Sequence, residues 1–401
     1  MGDARTAPGA TPGLPPVITC QVPGTFARGV LAERHPALVE QVREAFPYGP
    51  EQHRALDDLL HEIVHGVVEP PGPEDPGREL WLGWGRGHFG RPWFEAPFLW
   101  AESYFYRRLL QAVGYFAEGP WQGIDPFAPF KRAELSGGTV DEELRALDGL
   151  AGLPEDERAA ALLQASLWGN RADLGFRGPA GDSSLGEPDR SLVFDGTGEL
   201  WSLLPAGQGS TVAVIADNTG RELIPDLVLI DHLLRHGRAE GVVLHVKPHP
   251  YYVSDAMTAD VVDCLRRLGE APGEAGRAGA RLRDAMRSGR LEVRTHAFFC
   301  APFPYELMPD ELRAELAGAT LTILKGDLNY RRLVGDRLWP PTTPFADVTA
   351  YFPGAVATLR TLKSDVVVGL DPRTLERLEE SGRAWRTSGT HALVQVGAGR
   401  G

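Results

Sequence analysis

Up to about Gly149 the apolar residues recur at helical spacing. LAERHPALVEQVREAF and HRALDDLLHEIVHGVV carry them at i, i+3 and i+4, one face of a 3.6-residue turn. APFLWAESYFYRRLLQAVGYF is apolar almost all round and reads as a buried aromatic helix. Pro- and Gly-rich stretches at Glu69–Gly77 and Gly137–Thr139 punctuate these segments. From Ser191 the period changes to short β-rich runs: SLVF, TVAVIAD, GVVLHVK, LEVRTHA, ATLTILK, VATLRTLK and VVVGL. Helical patterns such as PDLVLIDHLLRHG, DVVDCLRRLG, PDELRAELAG and NYRRLVGDRL lie between several of them. Strands alternating with helices predict an α/β fold: a Rossmann-like, three-layer α/β/α arrangement around a mostly parallel sheet, with an N-terminal all-helical subdomain. The expected division is a disordered tail over 1–16, a helical subdomain over 17–160 and the α/β domain over 161–397. The Gly/Ala/Arg-rich stretch Glu270–Gly289 reads as a partly exposed insertion.

Composition narrows the partners. With 43% hydrophobic and 24% charged residues, the 401-residue chain can build a core, which excludes wholesale disorder. A formal net charge of −13 disfavours nucleic acid and anionic membrane, whose phosphates would repel it. Cys20, Cys264 and Cys300 show neither CxxC nor Cys/His ligand spacing, so a reducing, cytoplasmic setting is expected. MGDARTAPGATPGLPP has no basic n-region and apolar h-region, and no apolar run is long enough for a membrane span.

Rare residues act as pointers. There are four Lys (Lys131, Lys247, Lys325, Lys363) and three Asn (Asn170, Asn218, Asn329), although Lys and Arg together number 41. Where composition drives surface Lys to Arg, positions that keep Lys are enriched for sites needing a compact ammonium.

In a parallel sheet the ligand crevice opens at the carboxyl ends of the strands, at a topological switch point. TVAVIAD ends there in Asp217-Asn218-Thr219-Gly220, two oxygen donors suited to a hard cation, although Asp-Asn after a strand also makes a helix N-cap or turn. Thr219-x-x-Glu222 fits a capping box, so the Glu222 carboxylate either caps a helix or faces the site. Pro225 implies that the following helix begins later or kinks. GVVLHVK leads through Tyr251 and Tyr252 to Asp255, a third oxygen ligand or another N-cap. His245 and His249 do not share a helix face and read as structural histidines rather than zinc ligands. ATLTILK runs into Gly326-Asp327-Leu328-Asn329-Tyr330-Arg331, where Lys325, Arg331 and a helix N-terminus form an anion cradle. Strand alternation separates Arg360 from Lys363, which is aimed at a substrate phosphate. Asn170 and Asp173 in SLWGNRADLGF either line a polyol-binding wall or form a buried turn.

IADNTGREL, YYVSD, LKGDLNYRRL and RTLKSDV resemble the damage-control phosphatase family (domain of unknown function 89), in its third subfamily, which is marked by the Arg-Thr-x-Lys of Arg360–Lys363. LWGNRADL and WFEAPFLWAESYFYRRL are similar to their family counterparts, so the resemblance runs from about Thr25 to Val396. The resemblance implies a metal-dependent phosphatase acting on sugar phosphates such as fructose 1-phosphate. A divalent ion, Mn²⁺ with Co²⁺, Ni²⁺ or Mg²⁺ as alternatives, would sit on Asp217, Asn218 and Asp255. Substrate contacts would fall on Glu222, Asp327, Leu328, Asn329, Tyr330, Arg331 and Lys363, with Asp327 orienting a hydroxyl or assisting proton transfer. The resemblance also implies an alternative, an S-adenosylmethionine-dependent carboxyl methyltransferase with Glu222 at the cofactor position. A non-catalytic sugar-phosphate binder would keep the cations without needing all three metal ligands. The chain departs from the family pattern at Arg171, Gly175, Pro248-His249-Pro250 and HAFFCAPFPYELMP, around the pocket rather than in the metal set.

Overall fold

A computed structural model describes residues 13–169 and 191–399. Its centre is a seven-stranded sheet: β1 (Ser191–Asp195), β2 (Thr211–Ile215), β3 (Gly241–Val246), β4 (Leu291–Thr295), β5 (Leu321–Lys325), β6 (Val356–Thr361) and β7 (His391–Gly397), in the order β1-β7-β6-β5-β2-β3-β4. Every neighbouring pair is parallel except β6–β7. After edge strand β1 the chain enters the middle of the sheet at β2, steps outward to β3 and β4, and returns to the other side of β2 as β5 and β6. The switch point therefore lies between the carboxyl ends of β2 and β5.

β5 and β6 are buried along their whole length and β2 beyond its first residue, which is why they read as unbroken apolar runs. Alternation sends Val212 and Val214 into one core and Ala213 and Ile215 into the other. The helix Phe98–Ala112 packs into the second of these cores, while Gly138–Ala151, Glu155–Trp168 and Leu223–Arg235 cover the first. The helices before residue 169 thus contribute to both layers around the sheet.

Three local expectations change. VVVGL forms no strand; Val366 O accepts from Arg360 Nη1 at 2.6 Å, and Val368 O accepts from Gln395 Nε2 at 2.8 Å, so side chains satisfy its backbone. The sheet's seventh strand is instead HALVQVG, β7, which lies between β1 and β6. The stretch expected to be an exposed insertion contains the helix Gly273–Arg287, whose Ala275, Ala278, Leu282 and Ala285 are buried. Pro225 acts as expected: its helix begins at Leu223, later than a Thr219 cap would start it, so the proline falls in the first turn, where its missing N–H has no intrahelical partner to lose. Pro15 and Pro16, placed in the tail by sequence, offer their carbonyls to Arg337 Nη1 (2.7 Å) and Leu338 N (2.9 Å). Among the described residues no helix is long and apolar enough to cross a membrane.

Candidate active site

Past the end of β2, Ala216, Asp217 and Asn218 cross the carboxyl edge of the sheet and pair with the segment following β3. Asp217 O accepts from Ala256 N at 2.8 Å, Lys247 N donates to Ala256 O at 2.8 Å, and Asn218 and Asp255 form an isolated antiparallel bridge. Asn329, fully buried on the helix Gly326–Val334, fixes the strand end from the other side. Its Nδ2 donates to Ala216 O (3.2 Å) and Lys325 O (2.8 Å), and its Oδ1 accepts from Tyr305 (2.8 Å). Two adjacent strand ends are thereby tied into one rigid lip.

The lip gathers three carboxylates and an amide. Asn218 Nδ2 lies 3.3 Å from Asp217 Oδ2 and 3.0 Å from Glu222 Oε2, while Glu222 Oε1 lies 3.3 Å from Lys363 Nζ. Glu222 therefore faces the site, and it makes no side-chain cap to its helix. Asp217 is pushed well above the ordinary carboxylate range by burial, then by the charges of Asp255 and Glu222. Asp255 is raised to about 6 by burial, against which the Lys247 ammonium works. Lys247 Nζ and Asp255 Oδ2 face each other at 3.4 Å, both buried and without an aligned hydrogen bond. Gly326 (φ 80) packs directly on Asp217: a Cβ there would overlap the Asp217 carboxylate. Gly169 likewise abuts Glu222.

The cations expected from sequence divide. Lys363 is half-exposed at the lip, raised above its usual range first by Glu222. Lys325 is not aimed there. It points into the layer of the helices Glu155–Trp168 and Leu223–Arg235, bonded to Asp226 Oδ1 (2.8 Å), Ser166 Oγ (2.7 Å) and Ser166 O. Arg331 is likewise consumed by Asp336 (2.9 Å) and Glu102 (2.6 Å), with its guanidinium over the Phe98 ring. Asp327 is paired rather than free. Burial would raise it, but Arg360 and then Arg331 outweigh that and hold it below its usual range. Its Oδ1 accepts from Arg360 Nε (2.8 Å) and from Lys363 N (3.1 Å), docking the Arg-Thr-Leu-Lys segment on the helix start. Leu328 is buried, and the Tyr330 hydroxyl binds Gln395 and Val368 N away from the lip. Asn170 and Asp173 lie outside the described residues.

Three residues around the lip escape the sequence reading as site members. Lys247 supports Asp255, and Ser254 donates to Asn218 Oδ1 at 2.7 Å. Lys131 holds the Asp255 carbonyl, Asp260 Oδ2 and Asp125 Oδ2, each at 3.0 Å. The scarcity of Lys is the signal for two of them. Among the described residues no three His, Cys, Asp or Glu side chains are placed to hold a metal by themselves. A cation here would rest on Asp217, Asp255 and the Asn218 amide. The donor set fits one: a buried carboxylate oxygen without a hydrogen-bond donor, like charges around Asp217, and a polar amide wedged between two carboxylates.

Residues 30–378 match the damage-control phosphatase ARMT1-like domain. The chain is 34% identical over 333 residues to a damage-control phosphatase ARMT1 of Mus musculus, covering 76% of this chain and 75% of the relative. It is 32% identical over 332 residues to the Danio rerio protein of the same name, covering 76% and 74%. A solved DUF89 family protein from Pyrococcus horikoshii superposes with a TM-score of 0.48 at 14% identity, over 93% of this chain and 97% of that one.

Proposed function

The chain belongs to the damage-control phosphatase ARMT1-like family, and from that membership we propose that it is a metal-dependent phosphomonoesterase acting on a sugar phosphate or a related small metabolite. The observation that carries the metal dependence is Asp217. It is buried, flanked by two further carboxylates, and among the described residues its side chain is bonded to a neutral amide. Such a cluster is costly to ionise without a cation beside it. Mn²⁺, or Co²⁺, Ni²⁺ or Mg²⁺, held by Asp217, Asn218 and Asp255 would polarise the phosphoryl group and lower the pKa of a bound water.

The chain's own groups supply the rest. Gly326 lets the backbone come up against Asp217, so the start of the helix Gly326–Val334 presents its N–H groups beside the donors. Lys363 brings a half-exposed ammonium to the same lip, where a phosphate oxygen would compete with Glu222 for it. Asp327 acts by holding the Lys363 backbone, which makes it a positioning group. The lysine scarcity, the strand-end placement and the family membership support this reading together.

The test is phosphate release from a panel of sugar phosphates with Mn²⁺, Co²⁺ or chelator, run in parallel with S-adenosylmethionine. Metal-dependent release is the expected result. Methylation of a carboxyl acceptor that survives chelator, or tight sugar-phosphate binding without turnover, would replace the proposal by one of its alternatives. Asp255→Asn should abolish metal-dependent release while the fold persists.

A further inference from the structure

Ser254 precedes Asp255 and is fastened to the loop after β2 at two points. Its hydroxyl donates to Asn218 Oδ1 at 2.7 Å, and its carbonyl accepts from Thr219 N at 2.8 Å. The chain reaches this position through two consecutive left-handed residues, Tyr252 (φ 44) and Val253 (φ 68). A β-branched residue at positive φ persists only where its surroundings over-determine it. Here Tyr252 stacks on Tyr106 with ring centroids 4.7 Å apart, and the Tyr251 hydroxyl donates to Ser103 Oγ at 2.7 Å. The turn is held from the helix Phe98–Ala112, and the placement of Ser254 with it.

With Oδ1 taken by Ser254, the amide presents Nδ2 to Asp217 and Glu222. Two carboxylate oxygens are satisfied in this way, yet hydrogens occupy the side where a cation requires oxygen. Asn218 can serve a cation only with its amide turned end for end. A hydroxyl both donates and accepts, so one Ser side chain can hold either orientation, donating to Oδ1 or accepting from Nδ2.

We propose that Ser254 is a positioning residue for the cation, holding the Asn218 amide in both orientations so that its oxygen or its N–H₂ can face Asp217. The inference rests on the metal-dependent reading above, because without a cation the second orientation has no use. Outer hydrogen bonds to metal ligands are commonly worth about 10–100-fold in affinity.

The test uses the full chain stripped of metal, with Mg²⁺ as the probe in calorimetry. Ser254→Ala should weaken Mg²⁺ binding about 10-fold or more, and Ser254→Thr, which keeps the hydroxyl, should restore most of it. A merely structural role would instead show as a lower unfolding temperature in chelator for Ser254→Ala. The chain holds three Asn, so ¹⁵N-asparagine labelling isolates their side-chain N–H₂ signals, and Asn218→Asp identifies one of them. Mg²⁺ should shift that signal in the unaltered protein, a readout that needs no Ser254 variant to fold. Equal Mg²⁺ affinity in the unaltered protein and Ser254→Ala, or a stationary Asn218 signal at saturating Mg²⁺, overturns the role of Ser254. Absence of any divalent binding to the unaltered protein overturns the metal-dependent reading itself, and this inference with it.

Discussion

Lys363 and Lys325 both stand where a strand of the sheet gives out, yet their substitution should have opposite signatures. Lys363 is half-exposed and faces Glu222 across the lip. Lys363→Met should leave the unfolding temperature nearly unchanged and raise KM for a phosphorylated substrate at least 10-fold, read by steady-state kinetics. Lys325→Met strands Asp226, a buried carboxylate otherwise held by Ser166. Breaking such a pair costs about 3–5 kcal/mol, so this variant should lose stability in urea titration. Equal effects of the two variants on KM would return Lys325 to the substrate. Gly326 gives the other residue-scale prediction. Its φ of 80 is already unfavourable for Ala, and the added methyl would overlap the Asp217 carboxylate. Gly326→Ala should cut metal-dependent turnover at least 100-fold by displacing Asp217; turnover within a few-fold of the parent would show that Asp217 need not sit there.

At the scale of elements, the docking of the segment after β6 depends on one buried guanidinium. Arg360 has no exposed surface and bonds Asp327, Val366 O and Ser364, its guanidinium over the Tyr330 ring. Arg360→Met leaves Asp327 without its charged partner and Val366 O without its donor. We expect a loss of about 3–5 kcal/mol in urea titration, together with weaker binding of inorganic phosphate because Lys363 is no longer anchored. Unchanged phosphate affinity would mean that Lys363 is placed independently of Arg360. The same segment shows how far a linear pattern reaches. β2, β3 and β5 are legible because central strands are buried on both faces, and strand-end logic then puts Asp217, Asn218 and Asp255 at one edge. VVVGL looks like such a strand, but its carbonyls are bonded by Arg360 and Gln395, which no local pattern encodes. β7 escapes notice because HALVQVG offers only three consecutive apolar residues, Ala392–Val394, before the polar Gln395; its partners are β1 and the antiparallel β6. Lys325 and Arg331 mislead for a related reason. Their residue type and position suit a phosphate, and only tertiary packing brings Asp226, Asp336 and Glu102 to neutralise them. The scarce lysines carry more information than any motif spacing: Lys131, Lys247 and Lys325 are all buried against carboxylates.

For the molecule as a whole, stability against pH is a contest between buried histidines and the carboxylates of the lip. Burial holds His35 down to about 3, and His232, His245 and His249 each to about 4. Unfolded, each would protonate near 6.5. Their contribution is therefore complete above pH 6.5 and is lost as pH falls toward 4, where the unfolded chain binds protons that the fold excludes. Asp217 and Asp255 act in the opposite sense. Asp255, raised to about 6, gains a proton in the fold before it does so in the unfolded chain, so its effect is stabilising as pH falls from 6 to about 4. The four histidines lose their contribution together over this window, so urea midpoints in chelator should fall between pH 6.5 and 4. A divalent cation on Asp217 and Asp255 would keep both ionised and remove their opposing contribution. The decline with acid should then be steeper in Mn²⁺ than in chelator, and the stabilisation conferred by Mn²⁺ should shrink as pH drops through 6. Parallel curves with and without Mn²⁺ would show that proton and metal do not compete for the same oxygens, and would place any bound cation away from Asp217 and Asp255.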